Sequence, residues 1–248
     1  MKKLIAFIAV ATSFVGVSAQ RASDSSEFSF WDNEQTEQKI IIGPRVGLNI
    51  SSLNLSNIES QNDKSKIGFN VGVAVEFPIV RSFYINSGLF YTTKGIKFDY
   101  SERDYSEKET YNAGYLEIPV YASYRLNFAE ESQLQVNFGP YFAYGINGKV
   151  KWEENDGGDK SRYEYDLFGC ADPNSEDEKA GIKRFDCGLG VGLGYTFNRI
   201  YLGINYQFGL VNIADKKEWD NGKIKNTNFN ISLGYNFSLS RKGLPAIL

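Results

Sequence analysis

Histidine is absent from the 248 residues, cysteine occurs twice and proline six times, and after position 20 no apolar run reaches the length of a membrane helix. A chain without imidazole lacks the side chain most often used as a general base or metal ligand near neutral pH. A polytopic helical membrane protein needs repeated runs of roughly 18 or more apolar residues, and their absence excludes one. The abundant residues point elsewhere: 16 Tyr, 18 Phe and 24 Gly in a chain that is 42% hydrophobic, at a mean hydropathy of -0.35. So many aromatic residues exclude a disordered chain. The length suits one large β domain.

Met1-Lys2-Lys3, an apolar stretch from Leu4 to Val17, and Val17-Ser18-Ala19 before Gln20 form the three parts of a secretory signal peptide. Residues 1–19 are therefore expected to be removed. No Cys follows the cut, so a lipoprotein anchor is not expected. Loss of Lys2 and Lys3 takes the basic count from 27 to 25 against 30 acids, a net charge near -5. That balance argues against nucleic acid as a partner. Residues 20–39 are polar and non-periodic, with Phe28, Phe30 and Trp31 as their only aromatics, and read as a flexible periplasmic segment.

From residue 40 to residue 239 the sequence holds a period of two, and residues 240–248 form a tail. In Ile67 to Phe77, for example, Ile67, Phe69, Val71, Val73, Val75 and Phe77 share one face, and Gly68, Asn70, Gly72, Ala74 and Glu76 share the other. The pattern recurs in Ile40 to Ile50, Phe83 to Lys94, Leu116 to Phe128, Leu134 to Asn147, Phe185 to Phe197, Ile200 to Leu210 and Phe229 to Leu239, which makes eight strands. Tight links after Phe77, Phe128 and Phe197 alternate with long charged ones over 51–66, 95–114, 148–181 and 212–225. This alternation predicts an all-β fold, an eight-stranded antiparallel up-and-down transmembrane β-barrel with tight turns and both termini in the periplasm.

The second face decides which side meets lipid. In Phe185 to Phe197 it carries Asp186, Gly188, Gly190, Gly192, Gly194 and Thr196; in Phe229 to Leu239 it carries Asn230, Ser232, Gly234, Asn236 and Ser238. A water-exposed face is richer in Lys and Glu. Rows of Gly, Asn and Ser suit a narrow hydrated interior, where small residues make room for Tyr or Arg from other strands. The apolar face carries almost no charge, as expected where Lys or Arg at the midplane costs about 2–4 kcal/mol. Outer-membrane lipid is the expected surrounding, and a soluble ligand-binding β-barrel is the alternative.

Five stretches carry a family resemblance: Gly47-Leu48-Asn49-Ile50-Ser51, the segment from Ser87 to Gly95, Tyr115-Leu116-Glu117-Ile118-Pro119-Val120, Gly139-Pro140-Tyr141, and Ser232-Leu233-Gly234-Tyr235-Asn236-Phe237. Over roughly 42–239 the chain resembles the PorT-like outer-membrane barrels of Bacteroidetes. The resemblance implies a small eight-stranded barrel and, through the founding member, an accessory role in protein secretion, with envelope or secretion-system proteins as partners through the long loops. The chain departs from barrels that end on an aromatic residue, since Arg241 to Leu248 follow Phe237.

Arg45, Glu76, Lys94, Glu117, Arg125 and Asp186 all fall on the predicted inner face. An ion relay is one reading of them; the one adopted is a structural network of paired charges, because an uncompensated buried ion costs several kcal/mol. The loop over 148–181 holds ten acids and five bases. Its Asp172-x-Asn174-x-Glu176 spacing lacks the glycine and closing Glu of a calcium loop, so no metal is expected. Cys170 and Cys187 are even in number in an oxidising compartment, so a bridge is chemically allowed and two free thiols equally so. The glycines from Gly188 to Gly194 keep a strict period of two and do not form a phosphate loop.

No catalytic or cofactor-binding residue emerges. Hydrolases and acyltransferases built on such barrels use a His, so the expected function is a non-enzymatic structural or accessory barrel of the cell envelope. A narrow diffusion pore for small solutes is the competing reading.

Overall fold

A computed structural model describes residues 39–58, 63–80, 82–103, 105–129, 131–170 and 178–240. The expected signal peptide and lead-in up to residue 38, the tail beyond Ser240 and the calcium-like spacing at Asp172 lie outside these residues. Eleven strands are present among them: β1 (Lys39–Ser56), β2 (Asp63–Val80), β3 (Phe83–Glu102), β4 (Tyr105–Ala129), β5 (Ser132–Asp156), β6 (Asp159–Phe168), β7 (Lys179–Ile182), β8 (Phe185–Phe197), β9 (Ile200–Gly209), β10 (Lys223–Tyr235) and β11 (Phe237–Ser240). Eight of them, β1, β2, β3, β4, β5, β8, β9 and β10, pair antiparallel in that order, and β10 returns to β1 with Arg45 opposite Gly234. The ring is closed. No strand of it leaves an unpaired edge, the condition for placing a sheet in hydrocarbon. β11 continues along β1 after a break at Asn236.

The alternation of the sequence becomes an alternation of surfaces. Leu48 is 64% exposed, Ile67 74% and Leu233 55%, whereas Asn49, Glu76 and Asp186 are wholly buried. This inverts a soluble protein. The β8 glycines show why the interior closes: a Cβ on Gly188 would lie 2.7 Å from the Tyr141 ring, and one on Gly194 would lie 2.6 Å from the Tyr201 ring. Missing side chains on one strand seat tyrosines from others. The β8–β9 turn takes two residues, Asn198 and Arg199, at φ 43° and 72°, the doubly positive pair that a right-twisted hairpin requires.

The regions predicted as long solvated loops are mostly strand. β3 runs on past Gly95 to Glu102 and β4 begins at Tyr105, well before Gly114; β5 runs to Asp156, turns on Gly157-Gly158 and returns as β6. Alternation persists there on a more polar surface, and bulges between Gly114 and Tyr115 and between Ser65 and Asn70 reset its phase. Lys64–Asp99 (2.9 Å), Lys149–Asp166 (2.8 Å), Lys151–Glu164 (3.0 Å) and Arg162–Glu153 pair across these extensions. Each exposed pair contributes little, because solvent screens it.

Leu167 and Phe168 of β6, Ala180 and Ile182 of β7, and Ile213 and Ala214 fold over this end of the barrel and bury against Ala113, Val150 and Ile224. Arg184 locks the cover by donating to the Gly145 carbonyl at 2.9 Å and lying over the Phe168 ring. A single helical turn, Lys216–Trp219, is capped by Asp215, whose carboxylate accepts from the Lys217 amide at 3.0 Å.

Candidate functional site

All six charged residues singled out from the sequence lie inside the barrel, and they divide into two layers. Nearer the tight turns, Glu76 from β2 sits between two arginines: Arg45 Nη2 of β1 is 3.6 Å away, and Arg125 Nη2 of β4 is in direct contact. Both guanidinium groups stack on tyrosines, Arg45 over Tyr201 at 4.1 Å and Arg125 over Tyr84 at 3.6 Å. Arg45 also donates to Asn236 Oδ1 at 2.5 Å, which ties the start of β1 to the end of the ring.

Nearer the long hairpins, Lys94 Nζ of β3 lies 2.8 Å from Glu117 Oε2 of β4 and 3.6 Å from Asp186 Oδ2 of β8. Gln207 donates to Glu117 at 2.6 Å, while Tyr141 and Asn226 donate to Asp186 at 3.2 and 2.9 Å. One layer holds two bases and one acid, the other one base and two acids, so these six charges sum to zero. Asn49, Ser123, Gln135, Asn137 and Asn230 fill the space around and between them, all buried. A cavity of about 60 Å³ lies among them, room for ordered water.

A second site lies above the Lys94 layer, and the sequence reading did not find it. Leu53, Ala113, Ile182, Ile213, Trp219 and Ile224 line a cavity of about 270 Å³ whose floor carries Asn226 and whose wall carries Phe98, Glu109 and Tyr111. The wall is one face of the extended hairpins, where Phe98, Glu109, Trp152 and Tyr163 stand in one row across four strands. Rows on either side hold Ile96, Tyr111, Val150 and Tyr165, and Tyr100, Glu107, Glu154 and Ser161. These three rows contain no base; Lys97, Lys108, Lys149, Lys151 and Arg162 all belong to the opposite face. Tyr165 donates to Glu109 at 2.9 Å, and Trp152 donates to Glu107 at 2.8 Å. Burial, and then the Glu109 carboxylate, push the Tyr111 and Tyr165 phenols well above the ordinary tyrosine range. Both remain protonated donors.

Cys170 and Cys187 are free thiols. Burial, reinforced by Asp215, pushes the Cys170 thiol above its usual range. Among the described residues no cluster of three metal-ligating side chains occurs.

A closed antiparallel ring with an apolar outside and a polar inside filled by side chains is an outer-membrane architecture, and the profile of the outer membrane protein beta-barrel domain matches residues 19–215. The chain belongs to that family. It is an outer-membrane β-barrel protein, with lipid around its apolar band. Among solved structures it is similar to the attachment invasion locus protein Ail of Yersinia pestis, crystallised with the heparin analogue sucrose octasulfate, at 15% identity and a TM-score of 0.36 over 82% of this chain and 100% of that one. It is similar also to Neisserial surface protein A, at 12% identity and 0.35 over 80% and 97%. The translocator domain of the autotransporter NalP from Neisseria meningitidis matches at 12% and 0.30 over 93% and 97%. No curated protein matches the chain.

Proposed function

We propose that this outer-membrane barrel is a non-enzymatic, side-chain-plugged accessory component of the cell envelope that works with protein secretion, as the PorT-like resemblance implies. Its signal peptide is removed after Ala19, its termini and tight turns face the periplasm, and its elongated hairpins face outward to envelope or secretion-system partners. The observation that carries this reading is the lumen filled by buried side chains. Two neutralising layers of buried charge joined by amides make a rigid plug, and a plugged barrel offers its outer surfaces rather than a passage. The absence of histidine supports a role without catalysis.

Conductance across planar bilayers tests the plug. Purified protein is expected to give no stable steps; large reproducible steps would establish the diffusion pore instead. Deletion in the native cell tests the secretion role, with loss of secreted protease activity as the expected result. Unchanged secretion and unchanged envelope integrity would remove that role.

A further inference from the structure

The cavity above the Lys94 layer combines features that the plug does not need. A plug is served by tight packing, yet about 270 Å³ stays open among Leu53, Ile182, Ile213 and Ile224. For comparison, roughly 150 Å³ of apolar cavity suffices for a benzene-sized ligand. The space is also polarised in charge. Glu109 is the charged residue among its lining, and Asn226 on the floor donates to Asp186, which belongs to a layer with two acids and one base. A carboxylate offers about four acceptor positions; Tyr165 and Tyr111 each occupy one on Glu109, and the rest stay available. The Trp219 indole N–H is already satisfied by the Ala180 carbonyl at 2.8 Å, so its contribution to the cavity is its ring. Phe98 and Tyr111 meet edge to face at 5.8 Å beside it. The neighbouring base, Lys66, passes Gly95 and turns its ammonium toward the Ile67 carbonyl at 3.5 Å.

We propose that this cup binds a small hydrophobic organic cation, with its apolar part among Leu53, Ile182, Ile213 and Ile224 and its charged group against Glu109 and the rings of Phe98, Tyr111 and Trp219. Aromatic faces beside one carboxylate, with no base in the lining, attract an ammonium and repel an anion. A neutral ligand of the same size gains only the apolar contacts. The proposal is independent of the secretion reading, because it rests on the cup and not on the plug or the resemblance.

Calorimetric titration of the full barrel in lipid nanodiscs tests it, with benzyltrimethylammonium, benzyl alcohol and phenylacetate as probes and empty nanodiscs as the blank. Saturable binding is expected for the cation, weaker binding for the alcohol and none for the carboxylate. Glu109→Gln is expected to weaken the cation about tenfold, the scale of one partly desolvated charge contact, while leaving the alcohol unchanged. Ala113→Phe fills the cup and is expected to abolish both, with folding checked by the mobility difference between heated and unheated samples. No saturable binding of the cation, equal binding of the anion, or indifference of the cation to Glu109→Gln would each overturn the proposal, and the last test stands whether or not Ala113→Phe folds.

Discussion

Lys94 and Glu117 meet at 2.8 Å in the middle of the barrel, both nearly inaccessible to water, with Asp186 closing the triad at 3.6 Å from the ammonium. Neither β3 nor β4 could bury its charge alone. A buried ion pair contributes little net stability relative to an apolar replacement, yet removing one member strands the other. The two charge layers thus act as registration: strands that closed one residue out of phase would carry these ions to the lipid face.

Lys94→Met leaves Glu117 and Asp186 without their cation and is expected to destabilise the barrel by about 3–5 kcal/mol in equilibrium denaturation. Adding Glu117→Gln and Asp186→Asn to the same chain is expected to recover most of the loss. A single variant as stable as the parent would mean that the triad is solvated rather than sealed.

The outward face answers to a different solvent. Val191, halfway along β8, is 45% exposed on the apolar side. Val191→Arg is expected to cost about 2–4 kcal/mol when unfolding is measured in lipid. In a water-facing strand the same change would be nearly neutral, so refolding yield in vesicles separates the two surroundings.

The interior glycines are seats for rings. A Cβ at Gly194 would stand 2.6 Å from Tyr201 and 2.7 Å from the Gln135 side chain. Gly194→Val is therefore expected to lower stability by about 1–3 kcal/mol through overpacking. Tyr201→Ala in the same chain is expected to recover part of the loss, a coupling that a double-mutant cycle reads directly.

The free thiols report both topology and pH. Cys170 follows β6 at the hairpin end, whereas Cys187 lies on the outer face of β8. With the hairpins outside the cell, an impermeant maleimide is expected to label Cys170 on intact cells and to spare Cys187. The thiolate is the reacting form, and the folded protein disfavours it at Cys170, so labelling is expected to be slow near pH 7 and to rise as pH passes the ordinary thiol range. Denaturation should remove that delay. Labelling of Cys170 only after lysis would reverse the proposed orientation.

The eight strand cores were legible in the sequence because lipid outside and polar groups inside impose opposite chemistries on alternate residues. The segment from Phe185 to Phe197 coincides with β8, since the Asn198-Arg199 turn and the charged residues before Phe185 bound it sharply. At the hairpin end the contrast fades: both faces carry polar groups, and Gly95 and Gly114 resemble loop residues. Their role is to admit close neighbours, the Tyr111 carbonyl at Gly95 and the Tyr91 ring at Gly114. The inner-face charges were legible as a set. Their division into layers was not, because it depends on how β1, β2, β4 and β8 are staggered around the ring. The outer cup was hidden because Leu167, Ile182, Ile213 and Trp219 come from connections that carry no common period.

The central claim, a closed cylinder whose apolar surface lies in outer-membrane lipid, is tested most directly by fractionating cell envelopes and comparing heated with unheated samples on a gel. The protein is expected in the outer-membrane fraction, with a band whose mobility changes on boiling. Recovery in the aqueous periplasmic extract, with one unchanged mobility, would contradict the account.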